Sequence, residues 1–318
     1  MSGSIRNAAL AFALFAMTAG AGAAPAKYPH KVVTLVTHSS PGAGGDVFLR
    51  EMARVLPKYI DATFVVRNIP GGSGARAIAF VANSKPDGQT MYGTTPTYVY
   101  TSLLSSPPKT YKDLDPIVNV FMDPEVAYTR ANGPFKTIKD LIDHAKTKRS
   151  GWGAANPASL ERQAAEQLKA AAKVNAAVVS HEGGGEMMIN VLNGTLDMGV
   201  GEYQELRAQL AAGKVRVLAT FNPQRIPKFP NVPTLKELGY DVALEKFRGF
   251  AAPKGLSPEV IKIWETAIPL VLADPDFKKV YDAEALIPSF IPHGQYGAFT
   301  ERFAQNAAAF LKSSGVIK

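Results

Sequence analysis

Short runs of β-branched and aliphatic residues alternate along this chain with segments whose apolar positions recur every three or four residues. The first pattern fits strands and the second fits amphipathic helices. Strands are predicted at residues 31–37, 63–67, 90–94, 151–155, 177–181, 197–201, 215–221 and 247–252. Helices are predicted at 47–59, 75–83, 138–148, 160–173, 189–192, 203–212, 258–272 and 298–313. Thr137, with Asp140 three residues later, reads as an N-cap. Ser159 and Ser257 stand in the same place before two further helices. Asn193-Gly194 and Gly213 fit helix C-caps, where a left-handed residue ends the helix. Strand–helix alternation with short links predicts an α/β fold with mostly parallel sheets.

No fixed repeat and no low-complexity linker divides the chain, yet its length suits about two domains. Two domains without a linker imply more than one crossing between them. The crossings are expected near residues 120–129 and 220–234, where Pro124, Pro223, Pro227, Pro230 and Pro233 cluster. Residues 24–123 with 230–318 then form domain I, and 124–229 form domain II. This is the geometry of a hinged clamshell with ligand in the cleft.

Three strand ends lead into turns suited to anions. Val36-Thr37 leads into Ser39-Ser40-Pro41-Gly42-Ala43-Gly44-Gly45-Asp46. Ser180-His181 leads into Glu182-Gly183-Gly184-Gly185. Ala154-Ala155 leads into Asn156-Pro157-Ala158-Ser159. Each precedes a predicted helix, whose first amides lack internal partners and lie at the positive end of the helix dipole. Two such turns facing each other would hold a small carboxylate without catalytic side chains. The first turn is not a P-loop, since no Gly-Lys-Ser/Thr follows, and it lacks the third spaced glycine of a dinucleotide fingerprint.

The N-terminus reads as an export signal at residues 1–23. Arg6 is the only charge before Lys27, an apolar stretch follows it, and Ala21, Ala23 and Ala24 offer cleavage sites. No later stretch is long and apolar enough to span a membrane. The chain has no cysteine, which excludes disulfides, thiolate metal sites and a lipid-anchored N-terminal cysteine. The expected location is the periplasm, free of lipid. Net charge is +8, but the basic residues are scattered, and Lys146-Thr147-Lys148-Arg149 sits at a predicted helix end, where cations suit the dipole. Nucleic acid is not expected as a partner, and a monomer is.

The five histidines, His30, His38, His144, His181 and His293, show no metal-ligand spacing, so neither a metal nor a cofactor is expected. His38 and His181 lie beside the first two turns, as pocket lining or plain surface. Gly71-Gly72-Ser73-Gly74-Ala75 misses the hydrolase elbow at its fifth residue and reads as a turn. No nucleophile–base pair can be assembled, which favours a binding protein over an exported hydrolase. Asp46 is an N-cap candidate as well as a ligand contact, and Glu202 lines the cleft or begins the next helix. Tyr98, Trp152, Tyr203 and Phe247 suit either a pocket wall or the core. Arg248 is a candidate for a second ligand carboxylate.

Further motifs carry a resemblance across nearly the whole chain. They are Asn68-Ile69-Pro70-Gly71-Gly72-Ser73-Gly74, Pro86-Asp87-Gly88-Gln89-Thr90, Trp152-Gly153-Ala154-Ala155-Asn156, Gly194-Thr195-Leu196-Asp197, Pro230-Asn231-Val232-Pro233-Thr234 and Gly249-Phe250-Ala251-Ala252-Pro253. With the first glycine-rich turn, their order and spacing resemble the Bug-type solute receptors of tripartite tricarboxylate transporters. The resemblance implies a type II periplasmic-binding-protein fold, a small organic carboxylate as ligand, and delivery to membrane transporter subunits or, alternatively, to a membrane sensor. It also implies ligand contacts from Ser39, Ser40, Gly42, Gly44, Gly45 and Asp46, from Gly183, Gly184 and Gly185, and from Asn156, Ala158 and Ser159. Family members often have Tyr-Lys-Gly at His181-Glu182-Gly183 and Phe-Asp-Asn at Val200-Gly201-Glu202. Glu182 and Glu202 are therefore expected as extra pocket carboxylates, favouring a monocarboxylate whose other end is neutral, hydroxylated or cationic.

Overall fold

The computed structural model describes residues 24–318 apart from Glu182. The expected leader and the assignment of Glu182 lie outside the described residues. The chain first forms β1 (Ala26–Thr37), α1 (Gly44–Val55), β2 (Ile60–Asn68), α2 (Ala75–Ala82), β3 (Thr90–Thr94), α3 (Pro96–Ser105) and β4 (Leu114–Asp123). Next come β5 (Glu125–Arg130), α4 (Ile138–Thr147), β6 (Ser150–Ala154), α5 (Leu160–Ala172), β7 (Ala176–Ser180), α6 (Gly184–Asn193), β8 (Met198–Glu202), α7 (Tyr203–Ala211) and β9 (Val215–Thr220). The last elements are β10 (Lys246–Pro253), α8 (Pro258–Ala273), α9 (Pro275–Ala283), β11 (Ile287–Ile291) and α10 (His293–Ser313).

Six strands make one sheet, ordered β11-β4-β10-β3-β1-β2, and five make another, ordered β7-β6-β8-β5-β9. The chain passes from the first to the second through Pro124 alone, between β4 and β5. It returns after β9 through residues 221–245. Leu235 and Val242 in that return segment are buried in the core of the second sheet with Phe221.

Both sheets are mixed, which corrects the expectation of mostly parallel pairing. β1 pairs parallel with β2 and β3, and β6 with β7 and β8. The strands that carry the chain between sheets run the other way. β10 is antiparallel to β3 and β4, and β5 to β8 and β9.

Local chemistry explains the helix starts. Thr137 and Asp140 form a complete capping box, each side chain accepting from the other's backbone N–H. Ser159 Oγ accepts from Arg162 N, and Ser257 Oγ from Val260 N. Gly194 ends α6 in the left-handed region at φ 83°, where glycine carries no Cβ penalty. Five elements were not predicted: α3, β4, β5, α9 and β11. Helix α3 is buried from Pro96 to Ser102, so it has no polar face for a period to reveal. Strand β4 is interrupted in sequence by Pro116 and Asn119.

Each sheet has its own core. Trp264 anchors the first, 4.7 Å from Phe250 between ring centroids. Its Nε1 donates to Tyr28 Oη at 3.1 Å, and Tyr28 Oη donates to the Gly88 carbonyl at 2.9 Å. Trp152 sits at the centre of the second core, its Nε1 donating to Ser150 Oγ at 3.0 Å. Burial of each such ring stabilises by roughly 1.5–3 kcal/mol.

Candidate functional site

Loops at the ends of both sheets enclose a cavity of about 340 Å³. The first sheet contributes His38, Ser39, Ser40, Ala43, Gly44 and Gly45 after β1, residues 70–74 after β2, Thr95 and Thr97 after β3, and Lys246 and Arg248 of β10. The second contributes Ala155, Asn156, Pro157, Ser159 and Glu161 after β6, Gly183 and Gly184 after β7, Glu202 at the end of β8 and Glu205 beyond it. Ligands in open α/β sheets bind at these carboxyl ends of strands.

Six helices begin at the cavity: α1 at Gly44, α2 after Gly74, α3 beside Thr95 and Thr97, α5 after Ser159, α6 at Gly184 and α7 after Glu202. Each presents amides without intrahelical partners and about half a positive charge. The sequence turns thus meet around one space. Ser39, Ser40, Gly44, Gly45, Asn156, Ser159, Gly183, Gly184 and Glu202 line it.

Four other expected contacts are not among the lining residues. Asp46 is buried and holds the loop together. Its Oδ2 accepts from Gly42 N and Arg50 Nε, both at 2.8 Å, and its Oδ1 accepts from Asn68 Nδ2 at 2.9 Å. Nor is Asp46 the N-cap, since α1 starts at Gly44 behind Ala43. Gly42 serves the turn at φ 83°. Ala158 packs with Tyr100, Leu160 and Leu311. A Cβ on Gly185 would meet open space. None of the four aromatic candidates walls the cavity. Tyr98, Trp152 and Phe247 are core residues, and Tyr203 packs on Phe229.

A buried ion network, only partly legible in sequence, floors the cavity. Lys246 Nζ donates to Glu125 at 3.1 Å, to Glu161 at 2.9 Å and also to Glu202. Arg248 Nε donates to Asp123 at 2.6 Å and its Nη2 to Glu202 at 2.8 Å. Strand pairing builds this cluster at the junction of the sheets. Lys246 lies opposite Asp123 in the first sheet, and Glu125 opposite Glu202 in the second. Glu125, Glu161 and Glu202 stand close enough to share a metal ion, but the Lys246 ammonium bonds to all three.

The charges are tuned by this crowding. Burial pushes Asp123 up to about 6 and holds Glu125 and Glu205 well above the usual carboxylate range. Burial acts on Glu202 too, but Lys246 and Arg248 outweigh it and bring that carboxyl down to about 2. Burial lowers His38 to about 4, helped by the same two cations, so this ring is neutral near pH 7.

Two α/β sheets, two chain crossings and a polar cavity between strand ends define a type II periplasmic-binding-protein fold. The chain belongs to the tripartite tricarboxylate transporter family receptors, whose family model matches residues 48–316. Protein BugT of Bordetella pertussis is 28% identical over 315 residues, covering 95% of each chain. A TctC solute-binding protein from Polaromonas superposes with a TM-score of 0.73 at 25% identity, covering 90% of this chain and 99% of that one. A Rhodopseudomonas palustris protein solved with adipate superposes with a TM-score of 0.85 at 22% identity, over 91% and 99%.

Proposed function

We propose that this protein is an exported, non-catalytic receptor that captures a small organic carboxylate in the cavity and delivers it to a membrane transporter. The observation that carries this reading is the meeting of α1 and α6, which bring the side-chain-free Gly44 and Gly184 to one space from opposite sheets. Their first amides suit one carboxylate, whose burial is costly unless its charge is compensated and hydrogen-bonded. Ser39, Ser40, Gly45, Asn156, Ser159 and Gly183 complete the proposed contact set. The adipate bound by the R. palustris neighbour supports the ligand class.

The protein works in the periplasm after removal of residues 1–23, as a monomer without lipid. Its domains part at residue 124. The return boundary, expected at 229/230, is better drawn near residue 245, a choice supported by the packing of Leu235 and Val242 on the second sheet. No helix among the described residues is long and apolar enough to cross a membrane.

A thermal-shift screen of organic acids tests the reading, because a ligand that binds only the folded state raises its stability. At a hundred times the dissociation constant the gain is about 2.7 kcal/mol. Turnover of a bound acid, or no shift from any carboxylate, overturns it.

A further inference from the structure

We infer that the captured carboxylate also carries a protonated amine, which Glu161, Glu202 and Glu205 receive; this rests on the receptor reading above. Two kinds of helix start meet in the cavity, with Glu205 against Gly184 and Glu202 against Gly44. Gly44 and Gly184 open α1 and α6 with bare amides. On α5 and α7 the helix starts carry their own acids: Glu161 in the first turn of α5, Glu202 as the residue before α7 and Glu205 in its first turn. Those carboxylates already complement the dipoles of α5 and α7, so these two helix starts offer acceptors rather than a second anion site.

The two buried cations do not reverse that polarity. Lys246 has three ammonium donors and three carboxylate partners. Arg248 commits Nε to Asp123 and Nη2 to Glu202. Five acids, Asp123, Glu125, Glu161, Glu202 and Glu205, surround two cations, and with Glu125 and Glu205 held protonated one negative charge is left over. Among the described residues, Glu161 Oε2 is buried without any hydrogen-bond donor on a residue that lines the cavity, and beyond Lys246 and Arg248 Glu202 has only the protonated Glu205 as a donor. A buried acceptor without a donor is costly, and an ammonium brings three donors and the missing charge.

Glu205 adds a signature. Burial, with Glu202 and Glu161 alongside, keeps its carboxyl protonated, and Lys246 offsets this only in part. Tyr128, the other titratable neighbour, is itself held neutral by burial. An ammonium beside Glu205 favours its ionised form, so uptake of the ligand releases a proton.

The experiment is calorimetry on the folded protein with three matched series of three to six carbons: amino carboxylates with the amine in the α or ω position, dicarboxylates, and plain alkanoates. The best amino carboxylate is expected to bind at least tenfold more tightly than its matched dicarboxylate and alkanoate. Titration in buffers of different ionisation enthalpy should show proton release for that ligand only. Glu205→Gln should weaken it by about ten- to a hundredfold and abolish the proton release, while leaving alkanoate affinity within about twofold. Preference for dicarboxylates, or an unchanged amino carboxylate affinity in a folded Glu205→Gln protein, overturns the inference and leaves the receptor reading standing. Binding of none of the three series overturns both.

Discussion

Replacing Gly44 by alanine tests how tightly α1 is seated on the buried charges. An added Cβ would lie 2.5 Å from Gln204 Nε2, 2.6 Å from Arg248 Nη2 and 3.1 Å from Glu202 Oε1. Gln204 is the end of a flexible side chain and can swing aside. Arg248 cannot, because it is 1% exposed and gripped by Asp123 and Glu202. The methyl group therefore separates Arg248 from Glu202. A charge-assisted hydrogen bond contributes about 1.5–3 kcal/mol, while alanine in place of glycine returns roughly 0.5–1 kcal/mol in a helix. The expected net loss is about 1–2 kcal/mol. Gly185→Ala is the matched control, one turn start against another. Its Cβ would meet open space, and its φ is outside the left-handed region, so it should gain up to about 1 kcal/mol. Urea denaturation at pH 7.5 compares the two midpoints. If Gly44→Ala is as stable as Gly185→Ala, the close approach of α1 to Arg248 is wrong.

Three further outcomes follow from the same interior. Lys246→Met leaves Glu125, Glu161 and Glu202 without their shared cation and should cost about 3–5 kcal/mol, read from the denaturation midpoint. Glu125 is held protonated by burial, so in the folded state it binds a proton that the unfolded chain has lost above its ordinary value. Its contribution therefore worsens as pH rises from about 4.5, by at most about 1.4 kcal/mol per unit. Glu125→Gln should become progressively more stable relative to wild type over that range; a difference independent of pH would refute the assignment. His38, lowered by burial to about 4, acts in the opposite sense below pH 6.5 in both proteins and cancels in this difference. Tyr28→Phe strands Trp264 Nε1 and the Gly88 carbonyl, and should cost about 1–3 kcal/mol with ligand affinity unchanged.

The glycine-rich half of the cavity lining was legible because its chemistry is local. A glycine-rich turn between a strand and a helix announces bare amides within a few residues. The acidic half was not, because Asp123, Glu125 and Glu202 meet only through strand pairing and Glu161 and Glu205 join them from α5 and α7. In sequence nothing separates Glu161 or Glu205 from an ordinary first-turn helix acid. Lys246 and Arg248 did offer a signal. They stand two apart on a strand, which puts both on one face, yet only register shows that face turned toward Asp123 and Glu202. The aromatic residues, open in sequence between pocket wall and core, took the core. Rings of that size stabilise a core strongly, and the cores claimed Tyr98, Trp152 and Phe247. Strand direction was hidden too, since alternation of apolar residues is the same in parallel and antiparallel pairs.

The interrupted path of the chain has a kinetic side. All five strands of the second sheet come from one continuous stretch, β5 to β9. In the first sheet, β4 lies between β10 and β11, so Asp123 must wait for Lys246 to reach it across the whole inserted segment. Closing so long a loop comes late, because chain entropy is lost before the distant contacts repay it. The second sheet is then the part that organises first on refolding, while β3 is an open edge and β4 stays unpaired until β10 and β11 arrive. The two tryptophans of this chain divide between the two cores, Trp152 in the early one and Trp264 in the late one. Single-tryptophan proteins followed by stopped-flow fluorescence would time each separately, and the Trp152 signal should settle before that of Trp264.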